Sequence, residues 1–419
     1  MKKTLIILFS VFVITGIGRT QEEFSLGSPY SAIGLGEMKY SSSLRTDQMG
    51  IQGISLFGNY VNSTNPAANT RLKNVFFSLG MKTEFLESSN NTSSEKISDA
   101  NVTGFNFGVP FWDKHGMTLI FGFNPYTLMQ YKTSGKVDDQ GAAYTATFAG
   151  MGGLTRLNFG LAGRPIDFVN LGFEYDYSFG NIKNLTYFDF NNQYFTNSYI
   201  RSENDLKGGY FKGGIVLDFG ALLRKSKVFE NLSIGFFYQS KFKLKSTIDK
   251  IYITSLSSYD SSFTSETEWD VPEAYGFGIT KQIGRQLILS SDVSFQKFSG
   301  FKPVNLAPAE YSDNMRLGFG FEVLPAPKKD RSVFERLTYR AGFSYDNSYY
   351  KIAGQTIDHY AVSFGIGVPI NEVNGIDLGF ELGTRGKKDN SLIKDNYIKA
   401  SIGLNFGEFW FIRPSDEDR

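Results

Sequence analysis

Cysteine is absent from the 419 residues, and only two histidines occur. A disulfide-stapled secreted fold, thiolate metal sites and cysteine nucleophiles are therefore excluded. After the first 20 residues, no segment approaches the roughly 20 consecutive apolar residues that a membrane helix needs. Neither sign of charge dominates, since the chain has 43 Lys and Arg and 42 Asp and Glu. We therefore expect no nucleic-acid partner, because such a partner requires a basic surface.

The first 20 residues have the pattern of a signal peptide. Lys2 and Lys3 precede an apolar stretch of about 13 residues, and small residues follow before Gln21. We expect cleavage near Thr20 and Gln21, so that residues 1–20 are absent from an exported mature protein. Beyond this segment, the chain is rich in aromatic residues, with 40 Phe and 23 Tyr.

Apolar and polar residues alternate along many segments after about residue 70, which predicts strands with one apolar and one polar face. In the last of these segments, the apolar set is Ile398, Ala400, Ile402, Leu404 and Phe406. About fourteen strands are predicted, over residues 72–86, 100–110, 115–133, 154–164, 168–180, 206–220, 230–246, 268–281, 286–299, 311–324, 336–349, 357–369, 374–386 and 396–407.

The connections between these segments alternate in length. Short ones such as WDKHG and KQIGR fall between long polar ones such as LESSNNTSSEKISDAN and IYITSLSSYDSSFTSETE. Short turns on one side and long loops on the other are typical of a transmembrane antiparallel β-barrel in the outer membrane of a Gram-negative bacterium. A soluble β-sandwich or a propeller is the alternative, but a sandwich has no reason to sort its loops, and no propeller-length repeat is visible.

In such a barrel, the apolar face of each strand points to lipid and the last strand pairs with the first. We predict that residues 71–411 form the barrel and that 412–419 are a periplasmic tail. An even strand number places both termini in the periplasm. Phe409, Trp410 and Phe411 suit the membrane–water boundary.

Several stretches resemble outer-membrane proteins related to the FadL long-chain fatty-acid transporters, in a form widespread in Bacteroidota. SPYSAIGLGEM and NSTNPAANTRL are similar to the family's N-terminal region, and GMGGLTRLNFGLAGRPI and LGFEYDYSFG to its fourth and fifth strands. The resemblance implies a fourteen-stranded barrel whose lumen is blocked by an N-terminal hatch. Residues 21–70, which show little periodicity, fit this hatch, and a disordered periplasmic leader is the alternative. The predicted hatch and gate residues are Ser28, Pro29, Tyr30, Gly34, Gly36, Asn65, Pro66 and Ala67.

Pro125 lies inside the third predicted strand, where it cannot donate a hydrogen bond to a neighbouring strand. A bulge or inward kink at Asn124 and Pro125 is therefore expected. The family resemblance implies that this kink opens a lateral gate into the bilayer. A bulge without function is the alternative.

Charged residues alternate with the apolar ones on the predicted inward faces. These lumen residues are Glu174, Asp176, Arg316, Glu322, Asp377, Glu381, Arg385 and Lys399. We expect them to clamp the hatch by ion pairs. A binding site for a ligand headgroup near Arg316 or Arg385 is the alternative.

No enzyme, cofactor or metal site is predicted. His115 falls in a short turn and His359 near the outer end of a strand, so the two cannot share a metal. His359 could activate Ser344 or Ser363 in a lipid hydrolase, but no spacing singles out such a pair.

The function implied by the resemblance is passive uptake of a hydrophobic small molecule such as a fatty acid or aromatic compound, with release sideways near Pro125. The alternative is a non-transporting barrel that serves an outer-membrane secretion or assembly machine, as in type IX secretion. The expected partners are membrane lipids, with either a hydrophobic ligand or another outer-membrane or surface protein. An apolar path from the lumen to Pro125 would favour uptake, and a filled lumen with a large apolar patch on the outer loops would favour a protein partner.

Overall fold

The computed structural model describes residues 27–408, apart from 42, 140–141, 191–194, 224–225, 255–256, 304–308, 327–331, 372 and 390–391. The strands of this part are β1 (Glu37–Met38), β2 (Val75–Ser89), β3 (Ser94–Trp112), β4 (Met117–Pro125), β5 (Thr127–Asp139), β6 (Ala142–Ile166), β7 (Val169–Asp189), β8 (Ser198–Asp218), β9 (Leu232–Gln239), β10 (Phe242–Thr254), β11 (Ser257–Val271), β12 (Ala274–Ile283), β13 (Leu287–Gln296), β14 (Glu310–Tyr311), β15 (Asn314–Val323), β16 (Thr338–Ile352), β17 (Gln355–Pro369), β18 (Gly375–Gly386) and β19 (Lys394–Glu408). The helices are α1 (Leu44–Gln48) and α2 (Phe219–Leu222), with 3-10 turns at Pro29–Ala32, Pro66–Arg71, Asp113–His115, Phe298–Gly300 and Phe334–Arg336.

The strands form one antiparallel barrel, which the pairing of β19 with β2 closes. Within the described residues the wall has fourteen strands, because β4 with β5, β9 with β10, and β11 with β12 are each one wall strand in two pieces. The predicted fold class and strand number are confirmed. No helix among the described residues is long and apolar enough to cross a membrane.

Side chains alternate in direction along the wall strands, so that apolar ones face lipid and polar ones face the lumen. On β18, Leu378, Phe380 and Leu382 are 41%, 60% and 48% exposed, whereas Asp377, which precedes them, is 4% exposed. The same outward apolar band runs round the barrel, because side chains that face hydrocarbon lose nothing by leaving water. The last strand follows the predicted face, with Ile398 and Ile402 about half exposed.

The predicted long outer loops are wrong in one respect, since most of their residues are strand. β10 and β11 pair from Phe242↔Val271 to Thr254↔Ser257, across the segment predicted as the loop IYITSLSSYDSSFTSETE. Ser, Thr, Tyr and Ile in these segments have β-propensity, and each finds a neighbouring strand to pair with. As a result β6, β7 and β8 have 25, 21 and 21 residues, far more than the roughly 9–11 needed to cross a membrane.

The residues that these strands have beyond a membrane crossing form a sheet that projects from one side of the barrel, here called the outer sheet. It consists of β5, β10 and β11 with residues 142–153 of β6, 181–189 of β7 and 198–207 of β8, in the order β5–β6–β7–β8–β10–β11. It lies beyond the apolar band, at the end that the loop pattern predicts to face the cell exterior.

Residues 27–74, here called the N-terminal segment, lie inside the barrel. Met49, Ile51, Ile54 and Leu56 are fully buried. Towards the outer-sheet end, Leu35 belongs to an apolar cluster with wall side chains, among them Trp269, Phe298, Phe301, Tyr349 and Tyr350. The lumen is therefore filled with protein.

Three predictions lie outside the described residues. They are the signal peptide over 1–20 with the adjoining 21–26, the boundary aromatics Phe409, Trp410 and Phe411, and the tail over 412–419. The periplasmic placement of both termini stays a prediction as well.

Candidate functional site

The start of the N-terminal segment is held by hydrogen bonds to the wall. The Ser28 hydroxyl donates to the Asp395 carboxylate at 2.5 Å and accepts from the Tyr30 amide at 3.2 Å, which caps the 3-10 turn that Pro29 opens. The Tyr350 hydroxyl donates to the Tyr30 carbonyl at 2.7 Å. The predicted residues Ser28, Pro29 and Tyr30 therefore anchor the segment.

Gly34 and Gly36 turn the chain beneath this anchor. Both have positive φ, 63° and 94°, a region that residues with a side chain rarely adopt. A Cβ on Gly34 would meet the Tyr349 ring, and one on Gly36 the Leu128 carbonyl. The Tyr349 hydroxyl accepts from the Leu35 amide at 2.9 Å and lies 2.8 Å from the Gly36 carbonyl.

An ion-pair network holds α1 against the wall in the middle of the lumen. Arg45 Nε donates to Glu322 at 3.0 Å, and Arg340 bridges Glu322 at 2.8 Å and Asp377 at 2.6 Å. Arg340 also donates to the Gln48 side chain at 2.8 Å. Glu322 is 1% exposed, so these charges are compensated by each other rather than by water.

The backbone after α1 lies directly on the wall, where glycines make room for it. Cβ atoms at Gly320 and Gly342 would each meet the Met49 backbone, and one at Gly365 would meet the Gln48 side chain. Opposite them, Gly50 has a φ of 65°. The stretch DQMGIQGISL thus makes a close backbone approach to the wall.

The last part of the N-terminal segment is fixed by polar side chains. Asn65 caps the 3-10 turn by accepting from the Ala67 amide at 3.1 Å, and its amide nitrogen donates to the Ile54 carbonyl at 2.7 Å. Pro66 and Ala67 lie against Gly172, where a Cβ would meet them.

The same region contains the most deeply buried ion pairs of the described lumen. Lys212 Nζ lies 2.9 Å from both Glu174 and Asp176 and donates to the Ser63 carbonyl at 2.8 Å. Both carboxylates are 0% exposed. Nearby, the Asp292 carboxylate accepts from the Gly53 amide at 2.8 Å.

The wall hydrogen bonding is broken at Pro125. Pairing between β3 and β4 ends at Phe105↔Phe123. In the part of the chain that the structure describes, residues 94–103 of β3 have no strand partner on that side, and β5 pairs there with β1 of the N-terminal segment. We call this interruption the side break.

Asn124 faces the lumen beside the side break and joins a hydrogen-bonded ladder. Its amide donates to Asn106 at 2.9 Å and to Asn158 at 3.2 Å, and Asn158 donates to Glu174 at 3.2 Å. The structure thus connects Asn124 with the Lys212 cluster.

A cavity of about 160 Å³, here called the side cavity, lies between the side break and the N-terminal segment. Its charged lining consists of Lys39, Lys82, Arg316, Arg385 and Lys399 with Glu37, Asp47, Glu84, Asp346 and Glu381, together with His359.

Each of the five cations has a carboxylate partner. Arg316 pairs with Asp346 at 2.9 Å and Arg385 with Glu37 at 3.1 Å. The remaining pairs are Lys39 with Glu37, Lys82 with Asp47 and Lys399 with Glu381. Arg316 and Arg385 are thus engaged in ion pairs within the lumen, and so are Glu381 and Lys399.

His359 is hydrogen-bonded at both ring nitrogens. Nδ1 lies 2.8 Å from Asp346 and Nε2 lies 2.5 Å from the Tyr397 hydroxyl. Neither nitrogen is left for Ser344 or Ser363. No group of three potential metal ligands occurs among the described residues.

Four side chains that hold the N-terminal segment, and the wall glycines that contact it, could not be identified from the sequence. Arg45, Lys212, Asp292 and Arg340 hold the N-terminal segment, but their partners are distant in sequence. Alternation did signal that Arg340 and Lys212 face inward. The wall glycines could be recognised as residues that alternate with apolar ones in the predicted strands. Nothing in the sequence indicates which residues they contact.

Comparison with solved structures shows the fold. A FadL homologue of Pseudomonas aeruginosa aligns with a TM-score of 0.58 and 13% identity, over 91% of this chain and 99% of that one. The toluene transporter TbuX of Ralstonia pickettii aligns with a TM-score of 0.56 and 16% identity, over 91% and 100%. The toluene transporter TodX of Pseudomonas putida aligns with a TM-score of 0.54 and 13% identity, over 89% and 98%.

No curated protein matches the sequence significantly. The sequence does match the BamG family over residues 1–415, which is nearly its whole length. With a fourteen-stranded FadL-like outer-membrane barrel as its fold, this chain is a member of the BamG family.

Proposed function

We propose that this chain is a plugged outer-membrane barrel that acts as a partner subunit of an outer-membrane secretion or assembly machine. The observation that carries this proposal is the filled lumen. The N-terminal segment is bonded to the wall at its start, at α1 and at its end, and the side cavity left beside it is small and lined by paired charges.

Displacing the N-terminal segment would be costly. Moving α1 takes Arg45 away from Glu322, which is 1% exposed, and the loss of one partner from a buried ion pair costs up to about 3–5 kcal/mol. The Lys212 cluster and the Met49 backbone on its glycine groove would have to separate from the segment as well. A gate that opens and closes at ordinary temperature would need fewer such contacts.

The side cavity is also a poor site for a hydrophobic molecule. At about 160 Å³ it is smaller than the roughly 300–1,000 Å³ of ordinary small-molecule sites. Hydrocarbon placed there would displace water from ten charged side chains without returning hydrogen bonds to them.

The outer sheet supports a protein partner. Its six strands rise beyond the apolar band, where lipid cannot cover them, and a channel needs no such wall. Exposed aromatic side chains such as Tyr252 and Phe263 offer the kind of contact that protein interfaces favour.

Site-directed cross-linking in whole cells tests this role. Because the chain has no cysteine, a Thr264→Cys variant carries one thiol, on the exposed outer face of β11, for a thiol-to-amine cross-linker. We expect one defined adduct with another outer-membrane or surface protein. A Lys114→Cys variant, in the turn at the opposite end, controls for indiscriminate reaction. A barrel that stays monomeric in the Thr264→Cys strain would contradict the proposal.

Passive uptake of hydrophobic small molecules with lateral release is a second candidate, favoured by the side break beside Pro125. Two solved neighbours are described as toluene transporters. Uptake of externally added toluene into proteoliposomes that contain the protein would distinguish the two candidates. Saturable uptake that Pro125→Ala abolishes would support transport, and uptake equal to that of protein-free vesicles would exclude it.

A further inference from the structure

The outer sheet ends at β11, and this strand is paired on one side only. β10 pairs with it over its whole length. On the other side the neighbouring wall strand β13 ends at Gln296, opposite Ala274 of β12, and does not continue beside β11. Among the described residues, no strand pairing or backbone hydrogen bond reaches the second edge of β11. We call this the β11 edge.

Directly after β13, residues 298–301 turn into the lumen and do not pair with β11. Phe298 and Phe301 follow within five residues of Gln296 and are buried at 0% and 3% exposure. Phe298 packs on Tyr349 with ring centroids 4.5 Å apart. The C-terminal end of β11 packs in the same apolar cluster, because Trp269 and Val271 belong to it. Within the described residues the edge is thus uncovered, while its C-terminal end is packed in the apolar cluster.

The β11 edge has few of the features that proteins use to prevent strand addition. It is 15 residues long, where protected edges are short, and it contains no proline before Pro272. The register with β10 is regular from Val271 to Ser261. Such an edge is a template for another strand.

Charge identifies the kind of strand that fits. On the outer face of β11, Glu266, Glu268 and Asp270 are exposed at every second position. β10 meets this row with lysines, since Lys243 lies opposite Asp270 and Lys245 opposite Glu268. Lys243 Nζ contacts the Glu268 carboxylate at 2.7 Å. The pairing of β10 with β11 therefore shows that a strand with lysines on its outer face pairs well with this acidic face.

A second copy of this chain does not fit the β11 edge. Antiparallel pairing of two β11 strands about Glu268 would set Glu266 of each copy against Asp270 of the other. Like charges directly opposite one another destabilise a sheet. A basic strand instead gains an opposite-charge pair at each position, with apolar side chains on its other face to meet Phe263, which is 57% exposed.

We propose that the β11 edge binds an extended segment of a partner protein, with Lys or Arg at every second residue and apolar residues between them, which adds to the outer sheet as a seventh strand. Main-chain hydrogen bonds supply affinity in such strand addition, and alternate side chains supply specificity. This inference rests on the proposed role as a partner subunit and names the chemistry of the partner.

The test uses full-length protein in lipid nanodiscs and a synthetic probe. The probe is a labelled peptide with the sequence of residues 242–254, FKLKSTIDKIYIT, which is the chain's own lysine-bearing strand. One control peptide has glutamate in place of its three lysines. Another has proline in place of Leu244 and Ile248, which prevents strand pairing. Fluorescence anisotropy reports binding.

We expect saturable one-to-one binding of the probe and none of either control. The triple variant Glu266→Lys, Glu268→Lys, Asp270→Lys should weaken binding about tenfold or more, since three cross-strand pairs become repulsive. Asp205→Lys is the matched control, because β8 is paired on both sides at this residue, and it should leave binding unchanged within about twofold.

Binding of the proline peptide equal to that of the probe, or an undiminished affinity of the triple variant, would overturn the proposal. So would a lack of saturation with the probe at millimolar concentration. The underlying role is tested separately by cross-linking from Thr264→Cys. If the triple variant still forms the native complex in cells, the β11 edge is not the docking site, while the role as a partner subunit stands.

Discussion

Lys212 shows how single residues fix the N-terminal segment in the barrel. Its ammonium group lies 2.9 Å from Glu174 and Asp176, and it is 2% exposed. A buried ion pair of this kind adds little net stability over apolar packing, but the loss of one partner is costly because the others keep their charge.

Lys212→Met should therefore destabilise the folded barrel by about 3–5 kcal/mol. The reason is that two carboxylates at 0% exposure lose the ammonium group that lies 2.9 Å from each of them. Urea unfolding in lipid vesicles measures the change. Lys243→Met, at the exposed pair with Glu268, is the control and should leave the unfolding midpoint nearly unchanged, because solvent screens an exposed ion pair. Equal effects of the two variants would contradict this account of the cluster.

Gly342→Ala should loosen the N-terminal segment, because the new Cβ would meet the Met49 backbone. Limited proteolysis of the folded protein should then cut within residues 27–74, which the wild type protects. Gly213 lies on the same kind of strand with open space around it, so Gly213→Ala should leave the segment protected. Protection in both variants would show that the glycine groove is not required for docking.

At the scale of single strands, β3 is paired unevenly. Residues 94–99 pair with β2 but have no strand partner on the side of β5 within the described residues. Because successive amides of a strand point alternately to its two neighbouring strands, about half of the amides there should exchange with solvent rapidly. Hydrogen exchange by mass spectrometry compares this stretch with residues 105–108, which pair on both sides. Equal protection of the two stretches would mean that the side break is closed in solution.

The β11 edge should bind its basic probe in a pH-dependent way. A hydrogen bond from Lys243 and its positive charge lower the pKa of Glu268 below the ordinary glutamate value. Glu268 is thus charged at every pH above this value, and its attraction for a lysine is lost only as the pH falls through the lowered pKa. Probe affinity at constant ionic strength should therefore be level through the neutral and mildly acidic range and fall only below the ordinary glutamate pKa. A decline beginning near neutrality would implicate another group.

At the scale of the whole molecule, alternation made the barrel predictable. The pattern of 398–406 places Ile398 and Ile402 in lipid and Lys399 in the lumen whatever their partners are, because side chains of a strand alternate in direction. The pairing of β19 with β2 followed from the need to satisfy every backbone group in hydrocarbon. The alternation in loop length predicts which end faces the cell exterior, whereas the Ser- and Thr-rich stretches that it predicts as loops pair as strands.

The candidate site was less accessible to sequence reasoning. Glu322 could be assigned to the lumen, but its partner Arg45 belongs to a five-residue helix without periodicity. Lys212 and Asp176 are 36 positions apart, and nothing local indicates that they meet. The β11 edge depends on where β13 stops, which is decided by the burial of Phe298 and Phe301 rather than by β11 itself.

Native mass spectrometry of the protein, extracted gently from outer membranes, tests the central claim most directly. The account predicts a barrel that carries a second protein in fixed stoichiometry and no small apolar molecule in its lumen. A barrel without a protein partner that holds one fatty acid or aromatic molecule per chain would contradict it.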